Sequence, residues 1–383
     1  MSAVAFWAAL STLVYTTVLF PLLVELRGRV RPRPVRAARI TPALTVVIAV
    51  HDEAESIGAK LESLLAVDYP RDRLEIVVAS DGSSDATEEI VRGFSARGVH
   101  LVALPRVGKA AALNAAVARA SGEVLVFSDA NSMFARDALR ELVAPLADAE
   151  VGGVAGNQRY SEGGDAASAA GENAYWDFDR RLKAAESRGG DVISATGAIY
   201  AIRRALFRPV PEGVTDDFGV STRVVAQGRR LVFAPRAIAY EPVAASSGLE
   251  FARKVRVITR GLSAVILMRE LLDPRRHGFY ALQLFSHKVL RRLLVLPLAV
   301  VAAATVPLWD DGLLYRVAGV AQATLYGLGA IGLLAARRGW SPRLLALPAF
   351  FCLANAAAAR AVWNVASGRR ILHWEPQRAV TDK

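Results

Sequence analysis

The sequence predicts a doubly wound α/β domain set between apolar segments long enough to cross a bilayer. Residues 43–130 alternate short β-rich runs with helical periodicities, residues 2–24 carry no charge, and three further apolar runs follow residue 291. At 383 residues and 53% hydrophobic content, the chain is longer than a typical single domain and more apolar than one soluble core requires.

The first element, residues 1–26, is expected to be an uncleaved anchor. Arg27, Arg29, Arg31, Arg33, Arg36 and Arg39 follow the apolar run instead of preceding it, which is the reverse of a signal peptide and places residue 27 onward in the cytosol. Residues 27–42, with Pro32, Pro34 and Pro42, read as a basic linker. The net charge of +11 is concentrated beside apolar segments, so the expected partner is the lipid bilayer. No stacking-aromatic or recognition-helix pattern accompanies it, and no nucleic-acid partner is expected. The lone Cys352 excludes an internal disulfide, no Cys/His cluster has zinc spacing, and the soluble part fits a reducing compartment.

The domain proper is read over residues 43–242. Its first strand is the buried run 44–50, followed by a helix with Ile57, Leu61, Leu64 and Leu65 on one face. A strand at 74–80 leads to Asp85 and Glu88, spaced as a capping box, and then to a strand at 99–104, a helix at 109–120 and a strand at 124–128. Such sheets bind ligands beyond the carboxyl ends of their strands. Residues 151–242 carry runs at 153–155 and 198–202 and helical stretches at 173–187 and 217–226, expected to form the acceptor half.

Residues 243–290 are expected to lie in the membrane interface, with Phe251, Val255, Ile258, Leu262 and Ile266 on one stripe and Arg253, Lys254, Arg256 and Arg260 largely off it. Residues 291–367 hold apolar segments at 293–309, 314–336 and 344–366. The Asp310-Asp311 loop is assigned outside and the Arg337, Arg338, Arg343 loop inside. Parity then sends the tail, 368–383, outside, whereas Arg369, Arg370 and Arg378 favour the cytosol; Arg360 leaves a re-entrant or interfacial last segment open.

Three clusters carry candidate chemistry. Asp81-Gly82-Ser83-Ser84-Asp85 leaves the second strand where a carboxylate can meet a ribose or base, or simply makes a turn and a helix cap. Asp129-Ala130-Asn131 leaves another strand with two hard oxygen ligands suited to Mg²⁺ or Mn²⁺ on a diphosphate, although turns often produce this pattern. Thr215-Asp216-Asp217 opens a helix, so that one aspartate can cap it and the other can act as a base toward an acceptor hydroxyl. Tyr175, Trp176 and Phe178 fit a sugar platform or, preferably, core packing; Arg203 and Arg204 fit either phosphate contact or a solvated helix start.

In this order, across one α/β domain between membrane segments, these clusters resemble the processive-type family 2 glycosyltransferases, which include cellulose, hyaluronan and poly-N-acetylglucosamine synthases, and the resemblance spans nearly the whole chain. His51-Asp52-Glu53 resembles that family's opening Asn-Glu turn, with Asp52 in place of asparagine, and Gly108-Lys109-Ala110-Ala111-Ala112-Leu113-Asn114 matches its Gly-Lys-x-x-Ala-Leu-Asn segment. The resemblance implies a GT-A fold, a mostly parallel Rossmann-like sheet, and inverting transfer from a nucleoside-diphosphate sugar, a UDP-sugar by preference, to a glycan or lipid-linked acceptor. It implies donor contacts from Glu53, Asp81, Lys109 and Asp129, a metal ion at Asp129 and Asn131, a general base at Asp217 and a supporting role for Asp216. Asn131 departs from the family's second aspartate.

The family's Gln-x-x-Arg-Trp motif should fall at 253–261, where neither Gln nor Trp occurs; Arg256 and Arg260 are its candidate remnants, or form a cationic surface face. Trp374-Glu375-Pro376-Gln377-Arg378 resembles a tail of membrane members. The expected setting is the cell inner membrane, multi-pass, with the catalytic domain cytosolic. Single-sugar transfer to a glycolipid or lipid carrier, and a non-catalytic scaffold retaining the fold, are the alternatives.

Overall fold

The structure, a computed structural model, describes residues 1–160, 166–242, 247–338, 340 and 342–369. The motif 374–378 and the charges of Arg370 and Arg378 lie outside these residues. The chain divides into two compact units, one containing Arg27–Glu162 and Lys183–Pro242, the other Met1–Leu26, Gly163–Leu182 and Val243–Arg370.

The first unit is built on one sheet. Its strands are β1 (Leu44–Val50), β2 (Leu74–Asp81), β3 (Val99–Leu104), β4 (Val124–Phe127), β5 (Met133–Phe134), β6 (Val151–Tyr160), β7 (Tyr200–Arg203) and β8 (Arg230–Glu241), in the spatial order β3-β2-β1-β4-β7-β6-β8-β5. Every residue of β1 and β4 is buried, as expected for strands covered on both faces. β1 runs parallel to β2 and β4 in the registers Leu44↔Leu74 and Leu44↔Val124, and β2 runs parallel to β3. Beyond β4 the sheet is mixed: β7 is antiparallel to β4 and β6, β5 is antiparallel to β8, and β6 and β8 are parallel. The carboxyl ends of β1, β2 and β4 therefore open on one edge, which carries residues 51–53, 81–85 and 128–132.

The helix Ala54–Leu65 buries Ile57, Lys60, Leu61, Leu64 and Leu65 at helical spacing against this sheet, and the helix Lys109–Arg119 buries Ala112, Leu113, Ala116 and Val117. The capping box expected at Asp85 does not form. The helix begins at Thr87, Asp85 Oδ1 accepts from Thr87 N at 3.0 Å and Asp85 Oδ2 from Ala54 N at 3.2 Å, while Glu88 pairs with Arg92 at 2.7 Å. Asp85 thus ties this turn to the one after β1, and Glu88 has a partner four residues on.

Among the described residues, three helices are long and apolar enough to cross a membrane: Ser2–Val30, Leu313–Ala336 and Arg343–Ala366. The segment expected at 293–309 is a shorter α-helix, Val295–Thr305, preceded by tight turns at Leu290–Leu293. Its 11 residues correspond to about 16 Å at 1.5 Å each, roughly half a hydrocarbon core. The helix Ser247–Leu267 buries Val255 and Leu262, whereas Ile266 is 59% exposed and leaves the expected stripe. Its side chains pair locally, Glu250 with Arg253 at 2.7 Å and Lys254 at 2.8 Å, and Thr259 meets Asn364 of the last helix at 3.5 Å. Phe178 is not core: it is exposed, with the Arg291 guanidinium 5.0 Å over its ring.

Candidate active site

The turn after β1 is unusual. Asp52 adopts φ 51°, a left-handed conformation that Asn and Asp tolerate better than other side chains. Its Oδ1 accepts from Ser84 N at 2.6 Å and Asp85 N at 3.3 Å. Burial would raise its pKa, but these N–H groups and His51 outweigh it and the net shift is downward. Glu53 donates its N–H to Thr87 Oγ1 at 2.8 Å and accepts from Ser56 Oγ at 2.6 Å; burial, reinforced by Asp129, pushes its carboxyl upward against that bond.

Asp81 ends β2 fully buried. Its Oδ1 accepts from Val107 N at 2.7 Å and Gly108 N at 2.8 Å, and its Oδ2 from Arg106 at 2.9 Å. Asp81 thereby fixes the loop leading into Lys109. Gly82, at φ +64°, is required twice over, since a Cβ there would also stand 2.7 Å from Arg106 N.

Lys109 is the hub. Its Nζ lies 2.8 Å from Asp129 Oδ1 and 3.3 Å from Asp216 Oδ1. Burial works against the ammonium, but the fields of Asp129, Asp216 and Asp217 outweigh it and hold Lys109 well above its ordinary value. Asp216 moves up as well, through burial and its acidic neighbours, because three carboxylates share one ammonium. Asn114, on the same helix as Lys109, exchanges two hydrogen bonds with Val210, Nδ2 to the carbonyl at 3.1 Å and Oδ1 from N–H at 2.9 Å. That clasp ties the helix bearing Lys109 to the segment that runs into Asp216 and Asp217.

The helix Asp216–Ala226 follows Thr215, which makes no side-chain cap. Neither aspartate caps in the expected way: Asp217 Oδ1 accepts only the next N–H, Phe218 at 2.8 Å, and Asp216 faces Lys109. At the helix start both carboxylates feel the positive end of the dipole. On the other side of Asp129 stands Gly197, where a Cβ would be 2.7 Å from Asp129 Oδ2.

Asn131 is exposed beside Asp129. Among the described residues no group of three or more His, Cys, Asp or Glu side chains is arranged to hold a metal. A carboxylate and an amide oxygen nonetheless form a hard donor set that fits Mg²⁺ or Mn²⁺ when substrate phosphates complete the shell. Arg203 and Arg204 are committed to the backbone, Arg203 to the Val151 and Leu146 carbonyls at 2.8 and 2.7 Å and Arg204 to that of Ala120 at 3.4 Å. Arg256 and Arg260, both partly buried, lie on the helix Ser247–Leu267 of the other unit.

Two site residues are invisible to sequence reasoning. Tyr200, read only as part of a strand, stacks on Phe127 at 4.7 Å; its buried hydroxyl has no hydrogen-bond partner, and burial together with Asp216, Asp217 and Asp129 pushes its pKa up. Lys60 is fully buried beneath the Asp129 loop, and burial pulls it down to about 7 against the fields of Asp129 and Glu241.

With this geometry in place, residues 45–210 match the family described as Glycosyl transferase family 2. An N-acetylglucosaminyltransferase of Rhizobium meliloti (strain 1021) is 30% identical over 52% of this chain and 51% of its own length. A poly-beta-1,6-N-acetyl-D-glucosamine synthase of Staphylococcus aureus (strain COL) is 24% identical over 66% and 62% respectively. The chain spans about half the length of the first curated relatives it matches, 50% and 51%. Among solved structures, the mannosyltransferase PcManGT from Pyrobaculum calidifontis, in complex with GDP-Man and Mn²⁺, covers 96% of this chain and 100% of its own with a TM-score of 0.70 at 25% identity. The mixed α/β sheet is the expected GT-A arrangement. Glu53, Asp81, Lys109, Asp129 and Asn131 fall inside the matched span, with Asp216 and Asp217 just beyond it, and the chain thus carries a glycosyltransferase family 2 domain over residues 45–210.

Proposed function

We propose that the protein transfers a sugar, with inversion, from a nucleoside-diphosphate sugar to a glycan or lipid-linked acceptor at a membrane. The observation that carries this reading is the Lys109 ammonium lying between Asp129 and Asp216, with Asp217 next in the chain. These groups come from two strand and helix ends that α/β folds direct toward ligands.

Asp129, Asn131 and Lys109 hold the donor diphosphate. Lys109, kept protonated by its three carboxylates, exchanges one of them for a phosphate oxygen as the donor enters. Asp129 and Asn131 would hold a divalent ion, which would supply positive charge against the charge that builds on the leaving diphosphate. Glu53 and Asp81 serve the nucleoside end, Asp81 through the backbone and Arg106 that it orients. Asp217 accepts the proton of the acceptor hydroxyl as that oxygen attacks the anomeric carbon, and Asp216 supports it through Lys109. One displacement on one face inverts the anomeric centre. Arg256 and Arg260 are assigned to the donor phosphates or the acceptor.

The setting we propose is the inner membrane, with the chain crossing more than once and Arg27–Arg39 holding the catalytic domain in the cytosol. The lack of Gln and Trp across 253–261 favours single-sugar transfer to a lipid-linked acceptor over a long processive product. The test is to offer membranes containing the full chain a panel of labelled UDP- and GDP-sugars and to size the product. A short, lipid-extractable product from one donor is expected; no transfer from any donor in the panel contradicts the reading.

A further inference from the structure

Lys60 interrupts an otherwise apolar helix face between Ile57 and Leu61, where an aliphatic side chain would pack without cost. Its ammonium is completely buried, and burying a charge is unfavourable unless hydrogen bonds and counter-charges offset it. Nζ donates to Ser128 Oγ at 2.7 Å and to the Ser132 carbonyl, and it lies 3.8 Å over the Phe134 ring. Ser128 and Ser132 flank Asp129, Ala130 and Asn131 on either side, and Ser132 N closes this turn onto the Asp129 carbonyl at 3.3 Å.

The clamp extends outward from both serines. Ser128 Oγ donates to the Ala198 carbonyl at 2.7 Å, fixing the segment that contains Gly197, against which Asp129 Oδ2 rests. Ser132 Oγ donates to Glu241 Oε1 at 2.5 Å, and Glu241 also accepts from Gln158. One ammonium therefore holds both ends of the loop and connects it to β6, β8 and the Gly197 segment.

We propose that Lys60 is a positioning residue for donor binding, which fixes the direction in which Asp129 and Asn131 present their oxygens to a diphosphate. The inference rests on the assignment of Asp129 and Asn131 to the donor diphosphate. A turn with one carboxylate and one amide presents fewer strong ligands than a two-aspartate turn, so its orientation matters more.

The experiment measures binding of UDP and GDP in the presence of Mn²⁺ to the purified full chain, together with donor KM, kcat and melting temperature, for wild type, Lys60→Met and Ser128→Ala. Methionine keeps an unbranched apolar stem one atom shorter than that of lysine and removes the ammonium. For Lys60→Met we expect a melting temperature at or above that of wild type, a 10- to 100-fold loss of nucleoside-diphosphate affinity, and a matching rise in donor KM with kcat changed less than threefold. Ser128→Ala, which removes one of the two acceptors, should lose three- to tenfold and decides the matter if Lys60→Met does not fold. Wild type that binds while both variants bind equally well overturns the proposal and leaves the site assignment standing. Wild type that binds neither nucleotide overturns the site assignment, and the proposal with it.

Discussion

Gly197→Ala is the sharpest perturbation of the diphosphate site. The φ of Gly197 is not positive, so alanine brings no backbone strain, and the effect is confined to the new methyl group. That methyl would stand 2.7 Å from Asp129 Oδ2, whereas ordinary contact begins at 3.4 Å, so the carboxylate must retreat by 0.7 Å (3.4 − 2.7). To clear the methyl the carboxylate must turn about its own side-chain torsions, which takes Oδ1 out of line with the Lys109 ammonium that it meets at 2.8 Å. A charge-assisted hydrogen bond of this kind contributes about 1.5–3 kcal/mol, which corresponds to about 10- to 100-fold in donor affinity. Calorimetric titration of the variant with UDP and GDP should show that loss, with a melting temperature lowered by no more than several degrees because a single contact has changed. Unchanged affinity, with the alanine variant folded, would refute the placement of Asp129 on the diphosphate.

Three further outcomes follow from the same geometry. Asn131→Asp adds a carboxylate beside Asp129 and should lower the Mn²⁺ concentration needed for half-maximal nucleotide binding by about tenfold, about 1.4 kcal/mol; a metal titration monitored by nucleotide binding checks it. Tyr200→Phe removes a buried hydroxyl that has no partner, so thermal melts should show stability unchanged or raised by about 1 kcal/mol, whereas a drop in kcat of tenfold or more in the transferase assay would mean that the hydroxyl bonds the acid cluster once substrate is bound. Lys60 titrates near 7 in the fold and near 10.5 when unfolded. Between these values the unfolded chain binds the extra proton, so stability rises with pH by up to about 1.4 kcal/mol per unit. Urea melts from pH 7 to 9 should show this rise in wild type and lack it in Lys60→Met.

What the sequence discloses depends on how local the physics is. β1 and β4 are legible because a strand buried on both faces must be a continuous apolar run, and Asp129 and Asp217 are legible because each follows or opens such an element. Lys60 is not, because a lysine on an amphipathic helix ordinarily points to water, and the partners that keep it inside are 68 and 72 residues away. The Asn114–Val210 clasp spans 96 residues and leaves no local trace. Asp85 and Glu88 had the spacing of a capping box, yet Ala54, 31 residues earlier, takes one of Asp85's oxygens and Arg92 takes Glu88. Residues 293–309 carry no charge, but tight turns occupy Leu290–Leu293 and the α-helix spans only Val295–Thr305. The Lys109 bridge lies between these cases: the Gly108-Lys109 segment is recognisable from resemblance, whereas its simultaneous contact with Asp129 and Asp216 emerges only from the fold.

The central claim is that a base at Asp217 acts on an acceptor while the groups around Asp129 hold the donor. It is tested most directly with Asp217→Asn, which keeps the side-chain shape and removes the base. Transfer of label and binding of the donor nucleotide are measured on the same purified protein. The account predicts donor affinity within about threefold of wild type and transfer reduced by about a thousandfold or more. Transfer at the wild-type rate, or loss of donor binding in step with transfer, would contradict it.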